Sequence, residues 1–151
     1  MSCEFKWPVR VYYEDTDAAG IVYHANYLRF MERARTEWLR ELGFEQDRMR
    51  DDDGIIFVIV STDVRYVSAA RFNQALVVAS RLRRLRGASI EFEQKISATD
   101  GASVCEAVNT VGCVDAERLV RFALESVGRN SDAIVPVSRS PELIEIGRAH
   151  V

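Results

Sequence analysis

The sequence predicts an α+β domain in which one long central helix is wrapped by a curved antiparallel sheet of about five strands. Three observations carry this. One stretch, between Tyr27 and Leu42, keeps a helical period. Four long stretches after it read as strands separated by short breaks. No internal repeat, low-complexity segment or Pro/Gly-rich linker divides the 151 residues, a length that suits one domain with a sizeable core.

The elements follow in order. Residues 8–14 read as a short strand that begins after Pro8, with a break over Asp15-Thr16-Asp17-Ala18-Ala19-Gly20. In the helix, Tyr27, Met31, Ala34, Trp38 and Leu42 form an apolar stripe that Leu28 and Leu39 widen. Arg29, Glu32, Arg33, Glu37, Arg40 and Glu41 lie opposite, where Arg33 and Glu37 can pair across one turn. Asn26 is the expected N-cap and Gly43 the expected stop. So wide a stripe suggests a helix largely enclosed by sheet.

After Asp51-Asp52-Asp53-Gly54 come the strands. In residues 55–67 the face of Ile56, Val58, Val60, Thr62, Val64 and Tyr66 is expected to be core, while Ile55, Phe57, Ile59, Ser61, Asp63 and Arg65 form the other face. Residues 75–86 form the next strand, and Gly87 marks a turn. Residues 88–98 alternate, with Ile90, Phe92 and Ile96 inward and Ser89, Glu91, Glu93 and Lys95 outward. Asp100-Gly101 signals a hairpin into a last strand, residues 102–115, with Val104, Val108 and Val114 on one face. The domain is expected to span residues 1–118, with a helix or loop and a partly ordered tail over 119–151.

Composition narrows the function classes. The chain is 48% hydrophobic and 28% charged, as ordinary globular proteins are. No apolar run approaches the roughly 18 residues of a membrane-spanning helix, and the N-terminus lacks the apolar core of a secretory signal, so a cytoplasmic location is expected. A net charge of −3 argues against a generally basic nucleic-acid binder. Cys3, Cys105 and Cys113 are an odd, sparse set that fits a reducing compartment. Cys105 and Cys113 fall on one strand about 26 Å apart, too far to bridge, and read as buried small apolar residues. The two histidines, His24 and His150, show no metal-ligand spacing, and no metal is expected.

The segment from Val9 to Leu39 carries the chemistry. A strand ends, Asp15 and Asp17 sit in a turn, Gly20 allows close backbone approach, and a helix starts a few residues on. Unpaired N–H groups at that start carry the positive end of the helix dipole. A carboxylate beside free donors suits acyl transfer, because the donors hold the developing oxyanion while the carboxylate attacks or activates water. The plainer reading of an Asp-rich turn is a solvated cap. By the same token, a lone His near a helix start is more often structural than a proton carrier. The run Glu32-Arg33-Ala34-Arg35 reads as a solvated or ion-paired helix face.

The stretch resembles the signature of the 4-hydroxybenzoyl-CoA thioesterase branch of the hotdog superfamily. It is most similar to the bacterial thioesterases associated with the Tol–Pal cell-envelope system. The matching residues are Tyr13, Asp15, Thr16, Asp17, Gly20, Val22, Tyr23, His24, Asn26, Tyr27 and the run Glu32 to Arg35. The likeness continues through Arg65-Tyr66, Ala69-Ala70-Arg71, Leu85 to Ser89 and Cys113 to Asp115, covering roughly residues 7–118. It departs after Asp115, where related sequences enter a Pro-containing turn and this one runs Glu117 to Phe122.

The resemblance implies an acyl-CoA thioesterase without metal or other cofactor, with Asp17 as the catalytic carboxylate. It implies that a backbone N–H near Tyr23 or His24 is the oxyanion donor, that His24 and Tyr27 line the site, and that the acyl group lies between two subunits. A homodimer or homotetramer is therefore expected, with acyl-CoA, or an acyl carrier protein, as the thioester donor and a functional link to the Tol–Pal system. With a CoA substrate, Arg71, Arg84 and Arg86 become candidates for its phosphates, because guanidinium binds phosphate oxygens in a bidentate manner. Alternation sends Arg81 and Arg83 to the face opposite Arg84 and Arg86, so not all four can serve. Ser61 and Asp63 are candidates for the pocket wall.

Two rival readings stay open at this level. One is a hotdog hydratase or dehydratase using an Asp17–His24 pair, and the other is a non-catalytic module that binds acyl chains or envelope proteins. Within the thioesterase reading, Asp17 acts as nucleophile or as general base.

Overall fold

The computed structural model describes residues 3–86 and 88–115, without the side chain of Arg86. The boundary at residue 118, the tail over 119–151, the Gly87 turn and the phosphate role of Arg86 lie outside the described residues.

Five strands form one antiparallel sheet: β1 (Glu4–Arg10), β2 (Ile55–Tyr66), β3 (Ala75–Arg86), β4 (Ser89–Ala98) and β5 (Ser103–Asp115). Their spatial order is β1-β3-β4-β5-β2, so β1 and β2 are the edges. Helix α1 (Asn26–Glu41) packs along the inner face. A short helical turn over Gln46–Arg48 and a π-helical turn over Met49–Asp53 lead from it into β2. The expected α+β architecture, one helix wrapped by antiparallel sheet, is the one observed.

The helix ends where its sequence says. Gly43, at φ +94, takes the left-handed position beyond the last turn, and its N–H bonds the Arg40 carbonyl at 3.0 Å. Phe30, Met31 and Ala34 sit fully buried against Val78, Leu76, Ile96 and Ala107. Further along, Trp38 packs on Ile90, Phe92 and Val111, and its ring stacks 5.8 Å from that of Phe5 on β1.

Several expectations need correction. The first strand runs four residues earlier than residues 8–14, because Pro8 lies inside β1 opposite Val77. An edge strand tolerates this, since it can leave one side without a partner for the missing N–H. Tyr13–Asp15 then form a 3-10 turn rather than strand. Asn26 is the first helical residue and not the N-cap, which is Ala25. In place of an Arg33–Glu37 pair, Glu37 accepts from Arg40 and the Arg33 guanidinium lies 6.0 Å from the Phe30 ring centroid.

The faces of β2 are also reversed at one end. Ile55 and Phe57 pack with Leu39, Met49 and Cys113, so the first half points its odd positions inward. A bulge between Ile59 and Ser61 leaves Val60 opposite no residue of β5 and shifts the phase. Thereafter Thr62, Val64 and Tyr66 lie opposite Asn109, Ala107 and Cys105, the inward residues of β5. On β5 itself the core face is therefore Cys105, Ala107, Asn109, Val111 and Cys113, and Val108 faces outward across from Asp63 and Glu93. That outer surface is charged, with Asp63, Arg65, Glu93, Lys95 and Glu106 along one shallow groove.

The largest departure is Arg35, expected on the solvated helix face. It is buried, and its guanidinium donates to Gln94 Oε1 at 2.8 Å. Gln94 in turn donates to the Met31 carbonyl (3.0 Å) and Ser80 Oγ (2.9 Å), and its Oε1 also accepts from Asn109 (2.9 Å). Alternation placed β4's apolar residues correctly, but it could not show that the polar residue in phase with them, Gln94, is also inside. Burial pulls the Arg35 guanidinium below its usual pKa range, and the nearby Glu32 charge works in the opposite direction.

Candidate active site

The turn after β1 is built backbone first. The Asp17 N–H bonds the Ile21 carbonyl at 2.9 Å, and the Gly20 N–H bonds the Asp17 carbonyl at 3.0 Å. Gly20 sits at φ +80 with no atom near the position its Cβ would occupy. The glycine therefore supplies a left-handed turn rather than the close backbone approach expected of it. Val22 N–H bonds the Ala70 carbonyl at 2.9 Å, and Ile21 bridges to Arg71, so the turn is fastened to the loop before β3.

The two aspartates have different positions. Asp15 is buried; its Oδ2 accepts the Tyr12 N–H at 2.8 Å, and its carbonyl accepts both the Tyr23 N–H and Asn26 Nδ2 at 2.9 Å. It is the fastening between turn and helix. Asp17 is exposed, and its carboxylate has one partner among the described residues, the Ala19 N–H on Oδ1 at 2.8 Å. Its second oxygen is free for chemistry.

The helix start supplies the donors. Tyr23 N–H is taken by Asp15, so it is not the free donor, whereas the His24 and Ala25 N–H groups have no acceptor among the described residues. Both precede the first turn of α1, where the dipole favours negative charge. The exposed His24 ring lies 4.5 Å from that of Tyr23 and 6.0 Å from that of Tyr66, and Tyr66 lies 6.0 Å from Tyr27. His24 makes no hydrogen bond to Asp17 among the described residues, so no Asp–His pair is formed. Tyr27 is buried and its Oη accepts the Ala70 N–H at 3.1 Å, which leaves its own proton to donate. Burial raises its pKa, with the Asp17 charge adding a smaller push in the same direction, so the phenol stays protonated at neutral pH.

The structure thus brings Asp17, Tyr23, His24 and Tyr27 together around one helix start, and adds Tyr66. Tyr66 was legible as a strand aromatic, but its place at the site depends on the bulge. Arg71 joins the same region through its bridge to Ile21, and its N–H bonds Gln74 Oε1 at 3.0 Å. Arg84 does not join it. It is exposed at the far end of β3, opposite Glu91 and about 30 Å along the strand from the Arg71 loop. Ser61 is not on the inner face either, since the bulge sets it outward opposite Thr110 and turns Thr62 inward. Among the described residues no group of three or more His, Cys, Asp or Glu is arranged to hold a metal, and no helix is long and apolar enough to cross a membrane.

Residues 11–143 match the family model of the thioesterase-like superfamily. The chain is 44% identical over 111 residues to the acyl-CoA thioesterase YbgC of Haemophilus influenzae, covering 74% of this chain and 81% of that protein. It is 42% identical over 120 residues to the acyl-CoA thioester hydrolase YbgC of Escherichia coli, covering 80% and 89%. Among solved structures, a probable thioesterase from Bartonella henselae superposes with a TM-score of 0.73 at 31% identity, covering 76% of this chain and 94% of that one. A 4-hydroxybenzoyl-CoA thioesterase variant complexed with 4-hydroxybenzoyl-CoA shares the fold at 20% identity, with a TM-score of 0.77 over 95% of this chain and 97% of that one. With its helix-in-sheet fold and its turn-and-helix site, this chain belongs to the thioesterase-like superfamily of hotdog proteins.

Proposed function

We propose that the chain hydrolyses acyl-CoA thioesters, releasing a carboxylic acid and CoA, with Asp17 as the catalytic carboxylate. The observation that carries this reading is that one short turn before α1 bears both an Asp17 oxygen without a described partner and the unpaired His24 N–H. Asp17 attacks the thioester carbonyl and expels the CoA thiolate, forming an anhydride that water cleaves, or takes a proton from a water that attacks the carbonyl and expels the thiolate itself. Both routes use the same oxygen. The His24 N–H faces the oxyanion, Tyr27 and Tyr66 wall the site, and Arg71 binds a CoA phosphate. The names of the relatives, acyl-CoA thioesterase and acyl-CoA thioester hydrolase, support the substrate class.

The working unit in this reading is a cytoplasmic homodimer or homotetramer of a domain spanning residues 1–118. Support comes from the edge strand β2, which leaves Ile59 and Val60 about half exposed beside its unpaired backbone. The acyl donor extends to acyl carrier protein, and the link to the Tol–Pal system rests on the resemblance. No arrangement in the site favours the hydratase or the non-catalytic reading.

The deciding experiment is thiol release over a panel of acyl-CoAs, run on the wild type and Asp17→Asn. Free CoA should appear with the wild type and fall by about two orders of magnitude or more in the variant. Wild-type kcat in a folded Asp17→Asn protein would overturn the assignment. A single turnover in ¹⁸O-water identifies an anhydride that water cleaves at the aspartyl carbonyl, because the product then carries an unlabelled Asp17 oxygen and the label stays on Asp17, whereas general-base hydrolysis labels the product.

A further inference from the structure

Arg35 is a buried cation whose described partner is a neutral amide. Its guanidinium has five N–H donors, and the bond to Gln94 is the one it makes among the described residues. Gln94 has no capacity left for it, since Oε1 is shared with Asn109 and Nε2 is bound to Met31 and Ser80. Glu32, the nearest acid, accepts from Thr36 Oγ1 at 2.8 Å and forms no ion pair with Arg35. Buried donors left open in this way call for a partner.

The open donors lie beside space. Arg35 lines two neighbouring cavities that share Glu32, Arg35 and Ile59 as walls. One, of about 270 Å³, is lined mostly by apolar surface, with Arg29, Thr62 and Asn109 among its walls. The other, of about 130 Å³, runs toward the C-terminal end of α1 between Trp38, Leu42, Phe57 and Phe92. An apolar cavity of roughly 150 Å³ holds a benzene molecule, so this slightly smaller one accepts a chain of about five carbons.

We propose that this cavity binds a medium-chain carboxylate, with the carboxylate on Arg35 and the alkyl chain against Trp38, Leu42, Phe57 and Phe92. A planar guanidinium pairs a carboxylate in bidentate fashion, and Arg29 on the wall of the neighbouring cavity supplies a positive charge that offsets Glu32. The ligand class rests on the thioesterase reading, whose product is such an acid. Within one subunit the site is separate from Asp17, being built on the half of α1 remote from the turn that carries it. Occupancy would make the enzyme responsive to accumulated product.

Calorimetric titration of the full chain with hexanoate tests this without any turnover. Saturable binding is expected, with hexanol at least about tenfold weaker because it lacks the charge. Arg35→Met should lose about tenfold or more in affinity and Arg35→Lys less. Leu42→Trp, which fills the apolar end, should block binding with Arg35 intact. Asp17→Asn, which removes turnover, should bind hexanoate as the wild type does. Equal affinity for hexanol, an unchanged affinity in folded Arg35→Met, or loss of binding in Asp17→Asn would each overturn the proposal. Thiol release judges the thioesterase reading independently.

Discussion

Asn26 Nδ2 donates to the carbonyl oxygen of Asp15 at 2.9 Å, fastening the turn that carries Asp17 to the first residue of α1. The bond is buried, and the same carbonyl accepts the Tyr23 N–H. One oxygen thus sets where the helix begins relative to Asp17. Asn26→Ala should cost about 1–2 kcal/mol of stability and lower kcat as well, because the donors at His24 and Ala25 lose their fixed position. Asp17→Asn should do the reverse, keeping Tm close to wild type while removing activity, since an Asn Oδ1 still accepts the Ala19 N–H. Thermal unfolding and thiol release measured on both variants check the split.

How much of this was legible in sequence depends on the range of the interaction that decides it. The grouping of Asp17, His24 and Tyr27 was legible because they lie within eleven residues of one another around one turn and one helix start. Their separation from Asp15 needed the structure, because burial and carbonyl bonding leave no mark on a pair of neighbouring aspartates. Ser61 and the faces of β2 and β5 were misassigned because a bulge at Val60 shifts the pattern by one residue, and β-branched residues fill both faces there. Arg35 was misread for a different reason. Its partner is 59 residues away on β4, and an amide that completes a buried network looks in sequence like any polar strand residue.

The Arg35–Gln94 network predicts an asymmetry. Gln94→Ala removes four hydrogen bonds and strands the buried Arg35, Asn109 and Ser80, so a loss of about 3 kcal/mol or more is expected. Arg35→Met removes the buried charge and leaves Gln94 with Asn109, Met31 and Ser80. It should cost clearly less, as exchanges of buried charge for apolar volume often do. Urea unfolding of the two variants gives the comparison, and equal losses would mean that the charge itself stabilises the fold.

Cys105 and Cys113 predict an alkaline limit. Burial pushes both thiols from about 9 up to about 11, with Glu106 adding to the shift at Cys105. The folded state therefore holds these protons at pH values where the unfolded chain has lost them. Their contribution is fully present below pH 9 and is lost as pH rises through about 11, at a cost on the order of 2 kcal/mol per thiol. Cys105→Ala with Cys113→Ala should flatten the fall in Tm between pH 9 and 11. In the native protein at pH 8, a thiol reagent should label the exposed Cys3 quickly and these two only on unfolding.

Gly112 predicts a steric coupling with the bulge. A Cβ at Gly112 would lie 2.9 Å from Val60 Cγ2, closer than real Cβ contacts come. Val60 is β-branched and stiff at χ1, so it relieves the clash only by leaving its preferred rotamer or by moving the bulge. Gly112→Ala should therefore cost about 1 kcal/mol, and Val60→Ala on the exposed edge should cost less. In the double variant the clash is gone, and the glycine's unfavourable backbone entropy in β5 is removed as well. Its stability should exceed the sum of the single changes by about 1 kcal/mol, a coupling that a double-mutant cycle measures directly. Additive single changes would mean that the bulge moves freely, and that the inward phase of Thr62, Val64 and Tyr66 is set by their contacts with α1 rather than by Val60.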